Sequence, residues 1–311
     1  MIGAINTFKL QSTFVETDCK SMNRQEINAL ISLLDDPDKS VFKQISMKFL
    51  SLGEEVIPVL EDAWEHSFDT LIQNRIENII HQIQFDLIKD ALKEWSHPEQ
   101  QNLLEGALLI ARYQYPDIDV AKIKKQIDQI KQDVWLELNE NLTALEKVKI
   151  INHILFDVHN FSGNTTNYHA PQNSYINNVL ESKKGNPLLL SIIYTIIAQN
   201  LDIPIYGVNL PEHFILCYVD IEHMGVPSTK GNEGSNVFFY INPFSKGAIF
   251  GQKEIDAFLK QLKLEPLAIF YEPCSNLEII KRLLRNLISS YEKLGYPDKS
   301  EELKGLLGSL G

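Results

Sequence analysis

The side chains in this sequence that could do covalent or proton-transfer chemistry are its cysteines and histidines, together with the amides and carboxylates placed to orient them. The three cysteines, Cys19, Cys217 and Cys274, form no CxxC pair, so neither a disulfide framework nor a cysteine zinc site is predicted. The eight histidines show no HxxxH or HxH spacing, and a metal site needs three or more converging ligands. No metal and no cofactor is expected. His213 opens an apolar, alternating stretch, His213–Val219, that reads as a strand, and it is the histidine to which a function is most readily given. Cys217 shares its face of that strand, but the intervening extended chain puts their backbones about 13 Å apart, beyond the roughly 3 Å of a thiolate–imidazole pair. Cys217 therefore reads as a buried strand cysteine. Cys274 lies just before an amphipathic helix beginning near Leu277, where the helix dipole favours a thiolate, yet nothing ties it to His213. Cys19 falls in a polar leader and carries no signal.

The elements that must hold these groups are mostly helical. Apolar residues make up 44% of the chain and charged residues 23%, which suffices for a sizeable core. Ile27, Leu30, Ile31 and Leu34 form a helical stripe, and Asp35–Ser40 ends it. A second stripe covers Val41–Leu52, followed by Gly53 and a helix over Val56–Trp64 with Pro58 in its first turn. This cadence is similar to that of HEAT-type hairpins, and a plain helical bundle is the alternative. Helical patterning continues through Leu71–Trp95 to the punctuation at Ser96–Gln100, where a domain boundary is expected. Further helices are predicted over Leu103–Tyr113, Val120–Leu138, Thr143–Val158 and Leu277–Leu294. Leu188–Ala198 is a continuous apolar run well short of the roughly 20 residues that span a bilayer, and reads as a buried helix. Strand-like alternation is confined to Ile203–Val208, His213–Val219 and Val237–Ile241, with Glu222–Asn236 as a flexible excursion. The fold class is therefore α+β, predominantly α, with a small antiparallel sheet.

Several separated blocks resemble the SirB family of transglutaminase-like proteins. They are Gly185-Asn186-Pro187 opening the apolar helix, Asp202-Ile203-Pro204 closing it, Val208–Pro211 followed by His213-Phe214, and Ile241–Phe244 with Gly247. Leu103–Asp119, Pro171–Glu181 and Arg282–Gly295 look like the same family, so the likeness covers about two-thirds of the chain. It implies a papain-type core in which a helix packs on a small antiparallel sheet. Catalytic relatives place a cysteine at the helix start, a histidine on a following strand and an aspartate on the next; these positions fall here on Pro187, His213 and Asn242. Pro187 cannot be a nucleophile, but it starts a helix well, with Asn186 as N-cap. The resemblance shares the missing cysteine. This chain departs further, with Asn242 where the family usually has Asp, Cys217 where Arg is usual and Leu189 where Ser or Thr is common. His213 is read either as functional or as a buried histidine satisfied by Asn242. Asn186, Asn209, Tyr168 and His169 are the candidate binding residues, the last two in the polar loop Asn160–Asn173, which also reads as a simple surface connection.

The predicted organisation is a leader over 1–22, HEAT-like helices over 23–95, the transglutaminase-like core over 96–265 and a helical, TPR-like extension over 266–311. A net charge of −12 with no basic, aromatic-interleaved stretch disfavours nucleic acid. The N-terminus lacks the pattern of a signal peptide, and a cytoplasmic protein with no membrane contact is expected. The leading functional expectation is a non-catalytic protein-binding or regulatory module. The alternative is a hydrolase or transferase of amide or peptide substrates in which His213 acts on water without a covalent cysteine intermediate. A clamp built from the helices of residues 1–95 is a third possibility.

Overall fold

The computed structural model describes residues 24–220 and 236–311. The predicted leader, with Cys19, and nearly all of the excursion Glu222–Asn236 lie outside them. Contacts divide the chain into two compact units that meet in sequence between Ile83 and Gln84.

The first unit contains α1 (Arg24–Ser32), α2 (Lys39–Leu52), α3 (Ile57–His66) and the start of α4 (Thr70–Trp95). Local chemistry sets its turns. The Asp38 carboxylate accepts from the Ser40 N–H at 2.7 Å to start α2, and Gly53 ends it at φ +66°, in the left-handed region that favours glycine. Leu34, Phe49, Leu60 and Ile76 have no exposed surface and form the centre of this unit's core.

In the second unit, α4 is followed by α5 (Leu103–Gln114), α6 (Val120–Glu137) and α7 (Ala144–Asn152), which runs on as a π-helical turn, His153–Val158. A two-residue strand β1 (Ser162–Gly163) pairs in parallel with β2 (Lys184–Gly185), and α8 (Ile176–Ser182) lies between them in sequence. Next come α9 (Pro187–Gln199) and an antiparallel sheet in the order β3 (Ile205–Val208), β4 (Ile215–Val219), β5 (Val237–Asn242), β6 (Ala248–Phe250). The helices α10 (Gln252–Gln261), α11 (Asn276–Leu294) and α12 (Pro297–Gly308) complete it. The architecture is α+β and predominantly α. Among the described residues no helix is long and apolar enough to cross a membrane.

Every residue of α9 except Gln199 is buried. Burying each of its large aliphatic side chains is worth about 1.5–3 kcal/mol, which makes this helix the centre of the unit. Strand β4 shows why both sheet faces are apolar. Leu216 and Tyr218 join the core around α9, whereas Ile215, Cys217 and Val219 join a second cluster with Ile255 and Leu259 of α10. The segment 266–311, predicted as an extension, shares the α9 core through Ile279, Leu283 and Leu287 of α11 and Leu303 of α12. Gly207 permits this approach: a Cβ there would meet Phe214 and Ile279 side chains at 2.6 and 3.0 Å. The Cys274 N–H donates to the Gly207 carbonyl at 2.8 Å and ties the start of α11 to the edge of the sheet.

The structure corrects the expected position of His213. It lies in the turn ahead of β4, where Glu212 takes φ +56° and the His213 N–H donates to the Leu210 carbonyl at 3.2 Å. Cys217 points to the α10 side of the sheet and is wholly buried. The three-residue β6 and the β1–β2 pair were not foreseen in the sequence.

Leu283 has no exposed surface, whereas Leu294 on the same helix is 54% exposed. Leu283→Ala is expected to cost about 2–5 kcal/mol and Leu294→Ala less than about 0.5 kcal/mol in urea unfolding. Equal costs would contradict the placement of α11 in the core.

Candidate functional site

A cleft of about 460 Å³ opens where the start of α9, the turn before β4 and one face of α11 meet. Pro187, at the first helical position of α9, lines it. Having no N–H, proline leaves one fewer donor to satisfy at this buried helix end. Asn186 caps the helix: its Oδ1 accepts from the Leu189 N–H at 2.8 Å, and its Nδ2 donates to Ser174 Oγ at 2.7 Å. Although Asn186 borders the cleft, both ends of its amide are engaged within the fold.

Asn242 ends β5 and caps a short 3₁₀ turn, Pro243–Ser245, with its Oδ1 accepting from the N–H groups of Phe244 (3.1 Å) and Ser245 (3.4 Å). Two backbone donors fix which end of the amide is oxygen. Its Nδ2 therefore faces His213 Nε2, at 3.4 Å. An amide N–H can only donate, so as a hydrogen bond this contact calls for the Nε2 lone pair, which in a neutral ring puts the proton on Nδ1. An asparagine or aspartate that steadies a catalytic imidazole accepts from the ring; here the polarity is reversed. His213 is half-buried, lines the cleft and lies 6.2 Å, centroid to centroid, from the Phe258 ring. Burial first, and the charge of Arg282 second, hold it below its ordinary value of 6.5.

The structure brings together the candidate residues Pro187, His213 and Asn242, with Asn186 beside them. Tyr168 and His169 stand on the rim, Tyr168 meeting Phe244 edge-on at 5.9 Å and His169 Nδ1 accepting from Lys293 Nζ at 3.5 Å. Asn209 serves otherwise: its Oδ1 accepts from Arg282 Nη1 at 2.7 Å, while Nη2 reaches the Leu210 carbonyl at 3.5 Å. Arg282 and Lys293 also line the cleft and were not singled out from the sequence. The available signal was the spacing of Arg282, Asn286, Ser289 and Lys293, a polar stripe on an amphipathic helix. Glu212 is the acidic group on the cleft wall.

Neither described thiol lines the cleft. Burial pushes the Cys217 thiol well up. Burial likewise raises Cys274 to about 12, the reverse of helix-dipole activation, and Ser275 rather than Cys274 caps α11. Among the described residues no three His, Cys, Asp or Glu side chains converge as metal ligands.

The sequence profile of the transglutaminase-like superfamily matches residues 121–285, which include Pro187, His213, Asn242 and Arg282. A UPF0162 protein of Xylella fastidiosa is 30% identical over 209 residues, covering 64% of this chain and 68% of that protein. A UPF0162 protein of Pseudomonas aeruginosa is 26% identical over 199 residues, covering 64% and 68%. Human F-box only protein 21 is 28% identical over 231 residues, 66% of this chain but 35% of that protein. No solved structure matches the chain.

An NMR titration of His213 is expected to give a midpoint below 6.5 that rises in Arg282→Gln but stays below 6.5, because burial is the larger cause. The linkage follows in sign: the unfolded chain takes up this proton first, so the contribution of His213 to stability is present above about pH 6.5 and is lost as pH falls below it. A midpoint above 6.5 would contradict the site as described.

Proposed function

This chain belongs to the transglutaminase-like superfamily, and from that membership we propose that it is a non-catalytic member, a protein-binding or regulatory module whose cleft holds a ligand without transforming it. The blocks around Asn186-Pro187, Asn209–Phe214 and Asn242–Phe244 support a finer placement with SirB-type proteins, and the α2–α3 hairpin supports a HEAT-like N-terminal segment. The recurrence of this stretch in a human protein of which it spans about a third supports its use as a module within larger chains. The free thiols Cys217 and Cys274 suit a reducing, cytoplasmic setting.

The observation that carries the reading is the wiring of His213. A thiol mechanism needs a nucleophile, and proline offers none. General-base action on water, worth about 10²–10⁴-fold, needs a ring nitrogen with a free lone pair. Asn242 donates into Nε2, which leaves Nδ1 as an N–H. The ring is then a hydrogen-bond donor toward a ligand. Pro187 and the engaged amide of Asn186 add shape without reactivity.

One observation favours a second reading, a His213-dependent hydrolase or transferase: the ring lines the cleft and is not sealed beneath apolar side chains. Purified full-length protein assayed on ester, amide and peptide substrates decides between them. The expected outcome is no turnover above background and no difference between wild type and His213→Ala. Turnover that His213→Ala abolishes would refute the non-catalytic reading.

A further inference from the structure

Arg282 is half-buried on α11, and its partners, Asn209 Oδ1 and the Leu210 carbonyl, are neutral. Among the described residues no carboxylate pairs with it. A guanidinium has five N–H donors in a planar fork, so part of that fork remains open beside the cleft. Eleven residues further along the helix, Lys293 lines the same cleft, and its one described partner is His169 Nδ1, at 3.5 Å. Eleven residues of helix separate the two Cα positions by about 16 Å along the axis, the length of about five residues of extended chain. Asn286, Ser289 and Ser290 line the interval, and among the described residues no hydrogen bond engages their side chains. The cleft thus has a cation at each end and free amide and hydroxyl groups between, in a chain whose net charge is −12.

We infer that this cleft binds an extended acidic peptide segment of a protein partner, with one carboxylate on Arg282 and a second, four or six residues away on the same face of the segment, on Lys293. The inference rests on the binding-module reading and names its ligand. The distance between the cations selects against a single small anion, which reaches only one of them. Of the described lysines and arginines only Arg282 and Lys293 line the cleft, which suits two carboxylates but not a run of nucleic-acid phosphates. The open fork of Arg282 suits a carboxylate held by two parallel hydrogen bonds, and the groups between the cations suit the peptide backbone.

The probes are fluorescein-labelled eight-residue peptides of alanine and glycine carrying two glutamates one to six positions apart, with glutamine counterparts, titrated against the full chain by anisotropy. The pairs four and six apart, whose side chains share a face of an extended chain, are expected to bind better than those three and five apart, about tenfold more tightly than their glutamine counterparts, and to weaken with salt. Lys293→Gln, at an exposed position outside the core, should remove most of that preference. Lys253→Gln, exposed on α10 and outside the cleft, should leave it unchanged. NMR supplies a readout that needs no Arg282 variant: a carboxylate on Arg282 offsets the charge that depresses His213, so saturating peptide should raise the His213 midpoint. Affinity independent of glutamate spacing, indifference to Lys293→Gln, or no preference over glutamine would overturn the inference, as would inorganic phosphate competing as strongly as the peptide. Binding accompanied by cleavage of the peptide would remove the non-catalytic reading while upholding the peptide site.

Discussion

Much of this unit depends on how a fully buried helix begins. Helix α9 is apolar on all sides, so its first turn lies in the interior, where an unpaired backbone N–H costs about 1–3 kcal/mol. Pro187 removes one such donor and the Asn186 side chain satisfies that of Leu189. Ser174 then holds the far end of the Asn186 amide. This solution occupies the position at which the family resemblance implies the nucleophile of a catalytic relative. A cysteine there would restore an N–H that needs a partner.

The same economy governs the other side of the cleft. Asn242 uses its oxygen to cap the turn after β5, which commits its nitrogen to His213. Arg282 is held by Asn209 and the Leu210 carbonyl, and its charge helps to keep His213 neutral. The cleft wall is therefore rich in donors: a guanidinium, an ammonium group and a neutral ring with its proton on Nδ1. Apart from the Glu212 carboxylate, such a surface is built to meet acceptors.

What was legible in the sequence follows the range of the forces involved. Helix α9 could be read because an unbroken apolar run between a Gly-Asn-Pro start and an Asp-Ile-Pro stop specifies its own burial. The helical stripes of α2 and α11 and the turn at Gly53 are equally local. The position of His213 was only partly legible: the alternation His213–Val219 suggests strand throughout, but the left-handed Glu212 delays β4 until Ile215. The approach of His213 to Asn242 came from family resemblance, because pairing between strands cannot be read from either strand alone. Arg282 could not be assigned, since its role depends on α11 docking across the turn at Asn209, a contact made possible by the absence of a side chain at Gly207. Asn209 was singled out for ligand binding and instead orients that arginine.

The central claim is that Asn242 donates to His213, leaving the ring without a basic nitrogen toward its ligand. The tautomer of His213 tests this directly. A long-range proton–nitrogen NMR spectrum recorded above pH 7.5, assigned with His213→Gln, should show a proton on Nδ1 and an unprotonated Nε2. A proton on Nε2, with Nδ1 bare, would mean that Asn242 accepts as it does in a catalytic arrangement, and would contradict the account.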